Sequence, residues 1–357
     1  MSRSAAPTPV PPKYFLATGA TVAPLPKRRI ILTISTGHTG TMWLVRVLRC
    51  TAHAVVAEHE PKPALVSFHE LLLFGRNTSY AKREAEKLPV FLSALTNATA
   101  NSNGSIYAEI SHMFIKSWAD VFTKWLAKVD PRGERFDVDV VVLRRYLPIV
   151  ARSYLVDKTW DPGQRLASWS GGEYLLYHRN FAILPPLAAL RASDALDLVL
   201  GYLVDMEMQY LEFRRAHPTF RYIEFRAEEL FTASGAVRLH QLLGTMPLKQ
   251  QCVQILQTAR PVNQHVSWKG PTLLELPTDI FLARALQFLE RYRAAGVTLP
   301  PLPQLEDCVP CPNASFAEPW CTVPVPAWTA ANITALLHNV TIPHNTPAVD
   351  PTAVLAA

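Results

Sequence analysis

The chain is poor in charge, in glycine and, near its start, in acid. Only 18% of its 357 residues are charged and only 14 are glycine, while 49% are hydrophobic. That composition excludes a disordered chain and supplies ample core for one large domain or two smaller ones. No apolar run approaches the roughly eighteen residues that a membrane-spanning helix needs, so no transmembrane helix is expected in this chain. The first 29 residues also lack the unbroken apolar core of a signal peptide. No acidic residue precedes Glu58, and the net charge is +6, which tilts the N-terminal third towards anionic ligands. The basic residues are nevertheless scattered. No Lys/Arg stripe interleaved with exposed aromatics marks a nucleic-acid partner, and a small anionic cofactor fits better. There is no internal repeat.

What is present bears first on compartment. Asn77, Asn97, Asn103, Asn313, Asn332 and Asn339 each open an N-x-S/T sequon, more than ten asparagines should supply by chance. Cys308, Cys311 and Cys321 crowd into "CVPCPNASFAEPWC", which reads more easily as disulfide-stapled than as a zinc site, because no fourth ligand stands nearby. Both features favour the secretory lumen. The opening "MSRSAAPTPVPPK" is basic and acid-free, which equally suits a transit-like or merely flexible leader and leaves cytoplasmic or organellar placement open.

Periodicity divides the chain into a flexible Pro/Ala-rich leader over 1–28, a domain over 29–300 and a Pro-rich, Cys-containing C-terminal extension over 301–357. Within the domain, strands are expected at Arg29–Ser35, Ala54–Ala57, Ile106–Ile110, Val138–Leu143 and Tyr222–Phe225. Helices are expected at Thr41–Arg49, Ser79–Leu95, His112–Lys128, Leu147–Val156, Pro185–Ala216 and Ala236–Leu243, with one more near Trp328–His338. Strand and helix alternate, so the expected fold is α/β, a central parallel sheet flanked by helices.

In such a sheet anions bind at the carboxyl ends of the strands, where helix N-termini offer free N–H groups and a positive dipole end. "TISTGHTGTMWLVRVL" lies at such a place. Gly37 and Gly40 let the backbone turn its amides inward, and Thr36, Thr39 and Thr41 add hydroxyls, giving a nest suited to phosphate or sulfate. A nucleoside triphosphatase loop requires a lysine after its last glycine, and none follows Gly40.

The stretch "HTGTMWL" resembles instead the 5′-phosphosulfate loop of the sulfotransferases, which bind 3′-phosphoadenosine 5′-phosphosulfate. On that resemblance Thr36, Gly37, His38, Thr39, Gly40, Thr41 and Met42 contact the cofactor, with His38 where the family carries Lys or Arg. The resemblance also implies a 3′-phosphate site, in which a strand ends in Arg and Ser follows eight residues later. "DVDVVVLRRYLPIVARSYL" offers Arg145 and Ser153 at that separation. Pro148 sits one place later than in the family, which keeps Arg144 as an alternative. "RYIEFRAEELF" is similar to a later strand and acidic turn of the family, and "ARPVNQHVSWKG" to the loop that closes over the nucleotide, making Asn263 and Lys269 candidate contacts. The resemblance spans roughly 29–275 and implies a P-loop-like architecture.

The implied reaction is in-line transfer of a sulfuryl group to a hydroxyl or amine of a carbohydrate or small molecule, in the Golgi if the lumenal reading holds. A general base must take the acceptor's proton. Two candidates compete: Glu60 in "AEHEPKP", where lumenal members place a glutamate, and His112 in "YAEISHMF", similar to the histidine of cytosolic members. Glu109 should face away from His112 by strand alternation. His38 would join the catalytic set, with full charge only when protonated. No metal is implied. A catalytically impaired nucleotide-binding lumenal protein and a kinase-like phosphotransferase are the alternatives, and the sequence names no acceptor and no oligomeric state.

Overall fold

The computed structural model describes residues 27–37, 39–61, 80–100, 106–156, 184, 195–246, 248–249, 252 and 278–300. The expected leader, the C-terminal extension with its three cysteines, His38, Asn263 and Lys269 lie outside the described residues.

The chain enters strand β1 (Arg28–Ile34) and turns into helix α1 (Thr41–Leu48). Strand β2 (Val55–His59), helix α2 (Tyr80–Ala100) and strand β3 (Ile106–Ile110) follow. A π-helical turn (Phe114–Trp118) then runs directly into α3 (Ala119–Val129), ahead of β4 (Phe136–Arg144) and α4 (Leu147–Val156). The long α5 (Ala195–Ala216), β5 (Arg221–Arg226), the short α6 (Ala227–Leu230), α7 (Ala233–Leu243) and α8 (Thr278–Ala294) complete the described elements.

The five strands form one parallel sheet in the order β2-β3-β1-β4-β5. Strand β1 is buried on both faces, as its unbroken apolar run requires of a central parallel strand. Alternation sends Ile30, Leu32 and Ile34 to one face, against residues of α2, the π turn, α3, α4, α5 and α8, and Ile31 to the other, against α1 and α7. At the amino-terminal edge the buried Asp139 of β4 takes Arg29 of β1 and Arg221 of β5, tying three adjacent strands together.

The expected α/β architecture is the one observed, and the departures from the expected elements are local. Strand β2 runs two residues past Ala57, which puts Glu58 and His59 on the sheet rather than beyond it. The helix expected from His112 opens with the π turn, Phe114 to Trp118, all five of whose residues are buried. The helix expected from Pro185 is described from Ala195, and α8 was not anticipated.

Cys50, just after α1, is bonded to Cys252, 202 positions away. The same join is made by the backbone amide of Lys249 on the Cys50 carbonyl at 2.8 Å and by a bridge between Thr51 and Leu248. A cross-link closing so long a loop restricts the unfolded chain strongly. Replacing both cysteines with serine should cost about 2–5 kcal/mol. Urea unfolding of the oxidised wild type and of Cys50→Ser/Cys252→Ser tests this, and coincident midpoints would refute it.

Candidate active site

Because β1 pairs in parallel with β3 and with β4, and β3 with β2, the carboxyl ends of four strands open on one edge. The loop after β1 therefore meets Glu60 after β2, His112 after β3 and Arg145 after β4. β1 is also the strand at which the chain order reverses, the usual place for a ligand crevice in an open α/β sheet.

The loop needs its glycines. Gly37 and Gly40 have φ of 86° and 85°, a backbone that side chains oppose. A Cβ on Gly37 would stand 2.4 Å from the Tyr154 hydroxyl, and one on Gly40 2.7 Å from the Phe231 ring. The Thr36 carbonyl, whose negative end would repel an anion, accepts hydrogen bonds from Tyr154 of α4 and, at 2.6 Å, from Tyr202 of α5. Gly40 caps α1 without a side-chain hydrogen bond, and no acidic residue follows in the first turn, so the positive end of the helix is not neutralised from within. The Thr39 hydroxyl is fully buried with no hydrogen-bond partner among the described residues, a loss of about 1–3 kcal/mol that an oxygen-rich ligand would recover.

The two competing bases turn out to be one pair. Nδ1 of His112 donates to Oε1 of Glu60, and the imidazole also lies against Gly37, its Cδ2 only 3.4 Å from where a Cβ would be. A carboxylate can only accept, so the imidazole proton is on Nδ1 and Nε2 keeps its lone pair. Burial pushes Glu60 up, but the hydrogen bond and charge of His112, with His59 and Lys116, outweigh it and hold the carboxyl down at about 2. Burial, helped by Lys116, lowers His112 and favours its neutral form. Glu60 also has φ of 46°, the sole left-handed non-glycine backbone among the described residues. Its amide still donates to the Ile110 carbonyl at 3.2 Å, so the turn comes immediately where the ladder ends. His59, the neighbour of Glu60 in the chain, shares a 3.0 Å hydrogen bond with the Thr41 hydroxyl. Glu109 faces away, as alternation predicts. It is buried with Lys87 at 2.7 Å, and burial raises it to about 7.

The arginine alternative divides sharply. Arg144 is committed to Glu207 and to Glu224 at 2.7 Å and lies over the Tyr210 ring; these carboxylates outweigh burial and raise its pKa further. Arg145 instead stands 3.9 Å from Glu228 and over the ring of Phe231, the same ring that closes on Gly40. Ser153 is half-buried on α4, one residue before the Tyr154 that holds Thr36. A cleft between the ends of β1 and β4 is lined by Ser35, Thr36, Arg144, Arg145, Glu207 and Tyr210. Thr41 is buried at the helix start, and Met42 is exposed.

Four residues that were not among the expected site residues surround the loop: Tyr154 and Tyr202 bond its Thr36 carbonyl, His59 the Thr41 hydroxyl, and Lys116 lies over the Tyr202 ring. Lys116 had a signal, a lone cation in the apolar run "HMFIKSW", and the tyrosines had none. No family model matches the chain, and none of the curated proteins does.

Two outcomes follow for Glu60. Because its φ lies in the left-handed region, Glu60→Gly should unfold at a higher denaturant concentration than Glu60→Ala, by about 1 kcal/mol; equal stabilities would remove the strain argument. Its carboxyl is depressed from 4.5 to about 2 on folding, so the stability it contributes is present above pH 4.5 and is lost as pH falls towards 2. The gap between wild type and Glu60→Gln in urea midpoint should shrink over that window, and a constant gap would contradict the assigned shift.

Proposed function

We propose that this chain is a sulfotransferase that takes 3′-phosphoadenosine 5′-phosphosulfate as its donor and a carbohydrate or small-molecule hydroxyl or amine as its acceptor. The observation that carries the reading is the meeting of an anion-suited loop with a carboxylate–imidazole pair. A side chain at Gly37 would stand 3.4 Å from the His112 ring, and His112 is held by Glu60.

The described residues suit the donor. The first-turn amides of α1 and the unpartnered Thr39 hydroxyl would hold its 5′ end, with the His38 imidazole as a further donor when protonated. Arg145 and Ser153 would hold the 3′-phosphate, the commitment of Arg144 to two carboxylates favouring its neighbour. When bound, the nucleotide supplies an activated sulfuryl group on a phosphate leaving group. The chain's task is to align the acceptor with it and to accept the acceptor's proton.

His112 is the better base. Glu60, at about 2, is a weak proton acceptor near neutrality, whereas a neutral imidazole presents Nε2 unprotonated. Glu60 then holds the ring and stabilises the imidazolium once the proton arrives, the arrangement of an oriented general base. The Cys50–Cys252 bond and the sequon excess together support an oxidising compartment such as the Golgi lumen.

Thermal shift separates this reading from its rivals. Adenosine 3′,5′-bisphosphate at 100 times its Kd should stabilise the protein by about 2.7 kcal/mol, and stronger stabilisation by ATP with Mg²⁺ would favour a phosphotransferase and overturn the reading. With labelled donor and an acceptor panel, His112→Ala should lower kcat about 10²–10⁴-fold, and Glu60→Gln by less. Binding without turnover on any acceptor would leave a nucleotide-binding protein.

A further inference from the structure

We propose that Lys116, carried by the π turn rather than by the loop, is the cation that pairs with the anionic group held at Gly37–Thr41. The proposal rests on the nucleotide-binding reading above and adds to it the residue that takes the place of the missing loop lysine.

The position of the side chain is unusual. Lys116 is only 4% exposed, yet no carboxylate lies within ion-pair distance and no hydrogen bond is made to it among the described residues. Its ammonium stands 4.7 Å from the centre of the Tyr202 ring. The hydroxyl of that tyrosine is bonded to the Thr36 carbonyl, so the ammonium sits one aromatic ring from the loop. Titratable groups that act on it or share its surroundings are Glu60 and His59 from the end of β2, His112 from the end of β3, and Tyr202 and Tyr154 from α5 and α4. Glu60 is the nearest anion by this account, but its carboxylate is already engaged by His112.

Taking a lysine out of water without a partner is costly, and structures tolerate it where a charge arrives later. Here burial brings Lys116 down to about 7, against a partial opposing pull from Glu60. Near neutrality the free protein therefore holds a mixture of ammonium and amine, and an arriving anion draws the group to its charged form. Binding should then take up a proton at this residue. Lys116 lies inside the π turn, whose residues Phe114 to Trp118 are buried on every side, so the lysine is enclosed with them.

Calorimetry in two buffers of different ionisation heat, at pH 8, reads both affinity and proton uptake. With adenosine 3′,5′-bisphosphate, wild type should take up a sizeable fraction of one proton, and Lys116→Met should lose most of that uptake and bind at least about tenfold more weakly. Without ligand, Lys116→Met should melt at or above wild type, because a buried charge has been replaced by an apolar chain of similar length. Unchanged affinity and uptake in Lys116→Met would overturn the assignment while leaving the nucleotide reading intact. If the bisphosphate fails to bind wild type, the nucleotide reading falls, and inorganic sulfate becomes the probe for the same pair: uptake lost in Lys116→Met supports the assignment, and uptake equal in both or absent from wild type overturns it. A melting point well below wild type, with native-like sulfate and bisphosphate binding, would mark Lys116 as structural and also overturn it.

Discussion

Everything at this site depends on β1 having a parallel neighbour on each side. Parallel pairing fixes direction as well as position, so whatever follows β1, β3 and β4 is delivered to one edge, and β2 adds its end through β3. Residues 35–37, 39–41, 60, 111–112 and 145 are distant in the chain and become neighbours for that single reason. The amino-terminal edge does different work. There Asp139 is shared by arginines of the two flanking strands, an arrangement that holds the three strands in register.

Behind the candidate base lies a second, closed polar layer. Lys87 of α2 reaches Glu109 of β3, the Pro61 carbonyl and the face of Trp118, while Tyr107 donates to Glu58 at 3.0 Å and to Glu109 at 3.3 Å. This layer couples α2 to the ends of β2 and β3 and so backs the backbone on which Glu60 turns. Lys87 pairs with Glu109 and Tyr107 donates to Glu58, whereas Lys116 has no carboxylate within ion-pair distance among the described residues. Burial still outweighs those partners at Glu109, whose carboxyl it raises to about 7, so desolvation is only partly offset in this layer.

Much of this was legible from the chain alone. Apolar runs of strand length separated by helical periods dictated the parallel sheet, and the boundaries of β3 and α4 follow directly from "IYAEI" and "LPIVARSYLV". The loop was legible because glycine at 37 and 40 answers a local backbone demand. Side-chain partnerships were not. Nothing in the spacing of Glu60 and His112 announces that they touch, since that contact exists only through the pairing of β2 with β3. Nor does sequence distinguish Arg144 from Arg145, which meet different partners: carboxylates of α5 and β5 for the first, Glu228 of α6 and the Phe231 ring for the second. The π turn was hidden for a related reason: local periodicity reports amphipathic order, and five buried residues in succession have none.

The backbone of Glu60 has a consequence for how this chain can change over time. Its left-handed φ of 46° is a conformation that glycine or asparagine adopts more readily than glutamate. Random substitution relaxes such a position towards those two residues unless something holds the carboxylate in place. Glutamate stands here in hydrogen-bonded contact with His112, and a replacement that suits the turn better would give that contact up. Ease of backbone and possession of the carboxylate are alternatives at this one position, and this sequence has the second.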